Sequence, residues 1–289
     1  MSDTKFTPPP QHYGGEDVKE DAPGDRYHSV TSMLNVLDKP GLIYWAATET
    51  AKAAIADREI WEAIERKRGV PAAIEWLEGA RFRRDTSVRS ATRLGSDVHA
   101  AIEHYAITGK RPDVDDEVAV FVDRFEDWCA LNSPAYEAAE MTVYNETYGY
   151  AGTLDAIMRL EGTRVVCDYK STASDVDKRG NPTGPYPEVA LQLAAYRHAE
   201  LAAVWKARRF EKYGWRTYFL TDVERTMAVP VPPTDGAIVL HITPRRCSAY
   251  AVRTDDVAFD AFLFVMETAR WKHDLEATAI GEPIGRAVR

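Results

Sequence analysis

Hydrophobic and polar positions change their period once along this chain, near residue 140. From Tyr27 to Ala130 the pattern is mostly helical: Trp45, Ile55, Ile60, Trp61, Ile64, Ile74 and Leu77 recur at spacings near three and four. Asp57, Glu59 and Glu62 interleave with Arg58, Arg66 and Lys67, as on a solvated helix face. Gly69-Val70-Pro71 breaks that run. A further helix is predicted from about Ser96 to Ile107, stopped at Thr108-Gly109, and another over roughly Glu117 to Ala130. Met141 to Tyr150 and Ala151 to Lys170 then read as strands. Ser171 to Pro187, rich in Gly, Pro and Asp, reads as a mobile loop. A helix follows from Glu188 to about Phe210, with Pro187 where a helix can begin. Gly214 to Val229 and Ala237 to Val252 read as strands, and Asp255 to His273 as a closing helix. No internal repeat is present.

Strands enclosed by helices in one stretch predict a single α/β domain over 26–277, mostly helical over 26–139, with a sheet core and closing helix over 140–277. Residues 1–25, with Pro8-Pro9-Pro10 and Gly14-Gly15, are expected as a flexible tail, and 278–289 as a C-terminal tail. At 289 residues and 45% hydrophobic, the chain has material for a sizeable core, which excludes a disordered chain, a collagen-like fibre and a disulfide miniprotein. Its 36 Lys and Arg against 45 Asp and Glu leave −9, so it is not built to wrap nucleic acid indiscriminately; clustered cations still set a local field. Cys129, Cys167 and Cys247 lie far apart, which argues against a disulfide framework and a four-cysteine metal cluster. Met1 to Pro10 has no apolar core of a signal peptide, and no stretch reaches bilayer length, so a cytoplasmic location without membrane attachment is expected.

The informative stretch runs Gly152-Thr153-Leu154-Asp155 to Asp168-Tyr169-Lys170. A two-residue turn at Glu161-Gly162 sets a hairpin register: Leu160 faces Thr163, Arg159 faces Arg164, Ile157 faces Val166, and Asp155 faces Asp168. Alternation then puts Asp155, Asp168 and Lys170 on one face. Opposed Cβ atoms lie about 4.5–5.5 Å apart, and two carboxylates at that distance repel. A divalent cation would compensate; oxygen ligands suit Mg²⁺ or Mn²⁺, and the Tyr169 backbone carbonyl would point to a neighbouring strand or to the metal. Such an ion beside Lys170 would stabilise the charge that builds on a phosphodiester during attack by water. A solvated strand face of mixed charge satisfies the same residues, and both readings stay open here.

Other residues bear on that choice. His99, early in a predicted helix, is a metal ligand or a packed helical histidine. Gln192 and Tyr196, four apart on a helix, either hold a phosphate or form a polar helix edge. Arg81, Arg83, Arg84, Arg89 and Arg93 precede His99, and Lys206, Arg208, Arg209 and Lys212 end the Gln192 helix; both groups suit backbone phosphates or a solvated face. Lys178 and Arg179 in the 171–187 loop suit a phosphate contact at a substrate entrance.

Together Gly95-x-x-x-His99, Gly152-Thr153-Leu154-Asp155, Asp168-Tyr169-Lys170 and Gln192-x-x-x-Tyr196 resemble the PD-(D/E)XK nuclease superfamily, and most of all its RecB-type exonuclease branch with phage-encoded members. The Ser29-Val30-Thr31-Ser32 helix start is similar too. The resemblance implies a restriction-endonuclease-like fold, a mixed central sheet flanked by helices. It implies His99, Asp155 and Asp168 as ligands of Mg²⁺ or Mn²⁺, Lys170 as the residue orienting the nucleophilic water, and Gln192 and Tyr196 as substrate-positioning residues. The activity it implies is metal-dependent DNA exonuclease action in recombination or end processing, in a bacterial or phage-infected cell, with DNA and a recombination protein as partners. Leu154 stands where the motif's name has proline, and Asp168 replaces the commoner glutamate. The four cysteines of the iron–sulfur members are missing, so no such cluster is expected, and no nucleotide-hydrolysing Gly-x-x-x-x-Gly-Lys-Ser/Thr motif is present. Three other functions fit the same residues: an endonuclease, a non-cleaving nucleic-acid-binding module, and an enzyme of other phosphate esters.

Overall fold

The strand-forming half of the sequence builds one mixed sheet. The computed structural model describes residues 16–37, 40–79, 88–177, 180–203 and 207–281. In these the strands are β1 (Glu16–Asp17), β2 (Asp25–Ser29), β3 (Ala135–Asn145), β4 (Tyr150–Leu160), β5 (Thr163–Ser171), β6 (Leu201–Ala202), β7 (Arg208–Lys212), β8 (Trp215–Leu220), β9 (Val229–Pro230), β10 (Gly236–Ile242) and β11 (Cys247–Val252). The helices are α1 (Val30–Leu34), α2 (Pro40–Ala56), α3 (Arg58–Arg68), α4 (Val70–Glu78), α5 (Val88–Thr108), α6 (Asp116–Asn132), α7 (Val189–Arg197), α8 (Asp222–Met227) and α9 (Asp256–Arg270). The chain divides into two compact units, Leu37–Asp97, and Met1–Val36 with Val98–Arg289. That division cuts across the one domain expected over 26–277. The smaller unit is helical, and Gly69 (φ +86°) separates α3 from α4, as the Gly-Val-Pro break predicts.

In the larger unit β4 organises the sheet. Antiparallel β3 covers one edge. The other edge is shared: parallel β2 pairs at Tyr150–Ala151, and antiparallel β5 at Ala156–Leu160. Between them Gly152–Asp155 has no strand partner on that edge among the described residues, so the sheet forks there. Beyond the fork β5 continues as a parallel neighbour of β10, with Asp168 beside Val239 and Lys170 beside His241. The β4–β5 turn has positive φ at Glu161 (+48°) and Gly162 (+85°), the backbone of a two-residue hairpin turn. Asp115 caps α6 and Asp255 caps α9, each through its side chain. Their inner faces, Val118, Phe121, Val122, Phe125 and Trp128 on α6 and Phe259, Phe262 and Met266 on α9, are buried.

Several expected boundaries move. Residues 16–25, expected within the tail, include strands: β1 pairs with Arg208 and Arg209 of β7, and β2 begins at Asp25; residues 1–15 lie outside the described residues. The helix predicted over 188–210 stops at Arg197: the Glu200 amide donates to Tyr144 O, and Leu201–Ala202 form a short strand between β3 and β9. The strand predicted over 214–229 breaks at Thr221, whose side chain forms a capping box with Glu224 and starts α8. Residues 172–177 and 180–187, within the expected loop, carry side-chain and backbone bonds, including Thr183 Oγ1 to Ser174 O at 2.7 Å and a Val176–Pro182 bridge. No described helix is long and apolar enough to cross a membrane.

Candidate metal centre

The turn fixes the phase of the hairpin. Leu160–Thr163, Arg159–Arg164, Ile157–Val166 and Ala156–Cys167 pair as the sequence predicts. The ladder then stops, one step before Asp155 and Asp168. At that point Asp155 Oδ2 accepts the Tyr169 amide proton at 2.7 Å, a side chain replacing a strand partner. The two acids therefore flank the fork and are not a ladder pair.

A third acid joins them. Glu140 of β3 lies in register with Asp155, between the pairs Ala139–Ala156 and Met141–Leu154, but is itself unpaired in the ladder and has φ +46°. Glu140, Asp155 and Asp168 thus occupy one row across three strands. His99 of α5 reaches this row: Nε2 lies 3.1 Å from Asp155 Oδ2, and Nδ1 lies 3.4 Å from Glu140 Oε1. Glu103, one helical turn on, completes a group with His99 and Glu140 whose ligand atoms all lie within 4.8 Å of one another. Lys170 Nζ stands 2.6 Å from Asp168 Oδ2, and Gln192 Nε2 donates to Asp168 Oδ1 at 2.9 Å. Asp168 is 1% exposed, whereas the Lys170 side chain is 42% exposed.

The electrostatics are those of an over-acidic, buried cluster. Burial, and then the neighbouring Asp155 charge, push Asp168 up to about 7 and Glu140 up to about 8. Burial raises Glu103 as well. Burial opposes ionisation of Asp155 too, but its hydrogen bond to His99, the His99 and Lys170 charges and the Tyr169 amide outweigh that and hold it below the ordinary value. Burial pulls His99 down, yet the Asp155 hydrogen bond and the surrounding acids win and raise it to about 9. Burial disfavours the Lys170 ammonium, and the two aspartates more than restore it. Glu140 Oε1 and Asp168 Oδ2 are buried without a partner in hydrogen-bonding geometry; the latter has only the off-axis Lys170 ammonium. One imidazole and several carboxylate oxygens, in excess over the cations, are a donor set that fits Mg²⁺ or Mn²⁺.

The expected residues divide into three groups. His99, Asp155, Asp168, Tyr169 and Lys170 meet at the fork. Gln192 touches Asp168. Tyr196 is buried behind them: its hydroxyl is 3.5 Å from Gln192 Nε2, and its ring covers Gly152, where an added Cβ would come within 2.6 Å of ring carbon. Tyr196, expected to position substrate, contacts Gln192 from behind and is buried. Arg93 belongs to the helical unit and pairs with Asp97 at 3.4 Å. Arg208, Arg209 and Lys212 lie on β7, not at a helix end, and are occupied by Glu224, Asp17 and Glu20. Lys178, Arg179, Lys206, Arg81, Arg83, Arg84 and the Arg89 side chain lie outside the described residues. Glu140 and Glu103 were missed by the sequence reading; Glu103 carried a signal, its spacing of four from His99.

No family model matches the chain, and no curated protein matches it. Among solved structures it is similar to the crystal structure of SSO0001, at 15% identity and a TM-score of 0.29, over 54% of this chain. The match spans 59% of the length of that structure.

Proposed function

We propose that this chain is a divalent-metal-dependent deoxyribonuclease with a restriction-endonuclease-like core, acting as an exonuclease on DNA ends in recombination or end processing. The observation that carries this reading is the row Glu140–Asp155–Asp168 with His99 and Lys170 at the sheet fork. Like-charged side chains gathered and buried cost stability unless a ligand repays it. His99, Asp155, Asp168 and the Tyr169 carbonyl would hold Mg²⁺ or Mn²⁺, with Glu140 and Glu103 enlarging the set. Such an ion polarises a phosphodiester and makes a bound water more acidic.

The protein's own groups have separate tasks. Lys170, kept as an ammonium beside Asp168, offers its remaining N–H donors to a water or a phosphate oxygen. Gln192 fixes the Asp168 rotamer, and Tyr196 packed on Gly152 fixes Gln192. Without an ion, His99 bridges Asp155 and Glu140 through its two ring nitrogens and offsets their repulsion; as a metal ligand it would give up one of those contacts. The exonuclease form of the reading, the phage-like setting and a recombination partner rest on the motif resemblance, and a cytoplasmic location on the lack of a signal-peptide core or bilayer-length stretch in the sequence.

End-labelled linear duplex and single-stranded DNA, incubated with Mg²⁺, Mn²⁺ or chelator, tests the proposal. Metal-dependent release of label from linear DNA, with closed circles intact, is expected. Cleavage of closed circles would make the enzyme an endonuclease. Intact DNA under every condition would leave a binding module.

A further inference from the structure

A cleft of about 630 Å³ lies within the larger unit, walled by β2, β7, β8, the end of α1 and the π-type turn Trp271–Leu275 after α9. None of the acids at the fork lines it. Its wall is built of flat rings. Trp215 Nε1 donates to His28 Nδ1 at 3.1 Å, which orients the indole. His273 stacks on Trp215 with centroids 4.2 Å apart and planes at 16°, and Asp274 holds its Nδ1 at 2.7 Å. The π-type turn puts His273 and Lys272 on this wall, a backbone irregularity that frequently marks functional sites.

The charges of the cleft are unequal in availability. Lys212 is taken by Glu20 at 3.5 Å, and Asp274 by His273. Arg26 donates to the Glu20 carbonyl and lies 5.8 Å over the Phe219 ring, but it forms no ion pair among the described residues, and neither does Lys272. Glu276 is the one remaining acid of the lining. A stacked ring platform beside two uncompensated cations matches a planar base that carries an anionic group.

We propose that this cleft binds a nucleotide, its base against the Trp215–His273 pair and its phosphate at Arg26 and Lys272. The ligand class rests on the nuclease reading, which it deepens by giving the strand or the product a seat away from the fork. The shared chemistry is a nucleoside monophosphate, and it has two sources: a residue of single-stranded DNA, or a released mononucleotide.

The test uses the full chain in EDTA, with anisotropy of fluorescein-labelled dT12 and competition by dTMP. Trp215→Ala is expected to weaken dT12 binding about tenfold. Arg26→Gln with Lys272→Gln, both on exposed side chains, is expected to weaken it and to flatten its salt dependence. Competition by dTMP assigns the seat to free nucleotide as well, and its absence confines the seat to the strand. Unchanged dT12 affinity and salt slope in the double variant would overturn the inference, whether or not Trp215→Ala folds. Cleavage by wild-type protein with Mg²⁺, measured alongside, fails only if the nuclease reading fails.

Discussion

The strands β3, β4 and β5 carry carboxylates at both ends, and the two ends treat them differently. Beside the hairpin turn, Glu137 sits in a bulge of β3 and accepts from Arg159 Nε at 2.6 Å and Arg164 Nε at 2.7 Å. Arg159 and Arg164 face each other across the ladder, and the bulged acid forms an ion pair with each. Burial opposes ionisation of Glu137, but the two arginines prevail and lower it. A few residues away, Glu140, Asp155 and Asp168 share one ammonium and one imidazole, and two of their oxygens have a cation close by but no well-aligned hydrogen bond. One sheet thus gives each oxygen of the acid at its turn a guanidinium donor, where only stability is at stake, and crowds three acids with incomplete hydrogen bonding where chemistry is proposed. Local rules broken at one place while kept next door mark a working site.

The comparison breaks most sharply at the fork. Asp168→Ala and Lys170→Ala should each lower DNA cleavage by at least about 10³-fold while circular dichroism stays native; wild-type rates in either would dismiss the site. At the turn end the effect should fall on stability instead. Glu137→Gln should cost about 2 kcal/mol, read by urea unfolding, because it removes charged hydrogen bonds from two half-buried guanidinium groups, and the cleavage rate should stay within about twofold.

The pH dependence sharpens the contrast. His99, Glu140 and Asp168 titrate higher in the fold than in the unfolded chain, so the folded state holds more protons. Their contribution is therefore present in acid and lost as pH climbs, from the ordinary carboxylate range near 4 through about 9. Asp155, shifted down, acts with the opposite sign, but only below its ordinary value. Metal-free protein should melt progressively lower between roughly pH 5 and pH 9. Glu140→Gln should flatten that slope, and Mg²⁺ should lift its alkaline end; a melting point that rose with pH would contradict the assigned shifts. The smallest effect belongs to Tyr196→Phe. It deletes only the hydroxyl 3.5 Å from Gln192 and should slow cleavage less than about tenfold, with stability changed by about 1 kcal/mol.

How much of this was legible in the sequence depended on distance along the chain. The two-residue turn made the hairpin register readable down to Ala156–Cys167. The fork beyond it was not readable, because it depends on β2 taking the β4 edge and β10 lying along β5, pairings that span some 70 residues or more and have no local signature. Glu140 was hidden for another reason: a left-handed residue inside a strand disturbs the alternation that a period-two reading relies on. The helix overrun past Arg197 came from Leu201 to Trp205, an apolar run as compatible with a short buried strand as with a helix.

The Glu161–Gly162 turn makes the hairpin a ruler. Side chains change sides at every step, so adding one residue to either arm between the turn and the fork would swing Asp155 or Asp168 to the opposite face, whereas a pair of residues would preserve the phase. Length variation among any descendants of this chain should then be even-numbered in these arms and unrestricted in parity within 172–187, where no such phase is being counted.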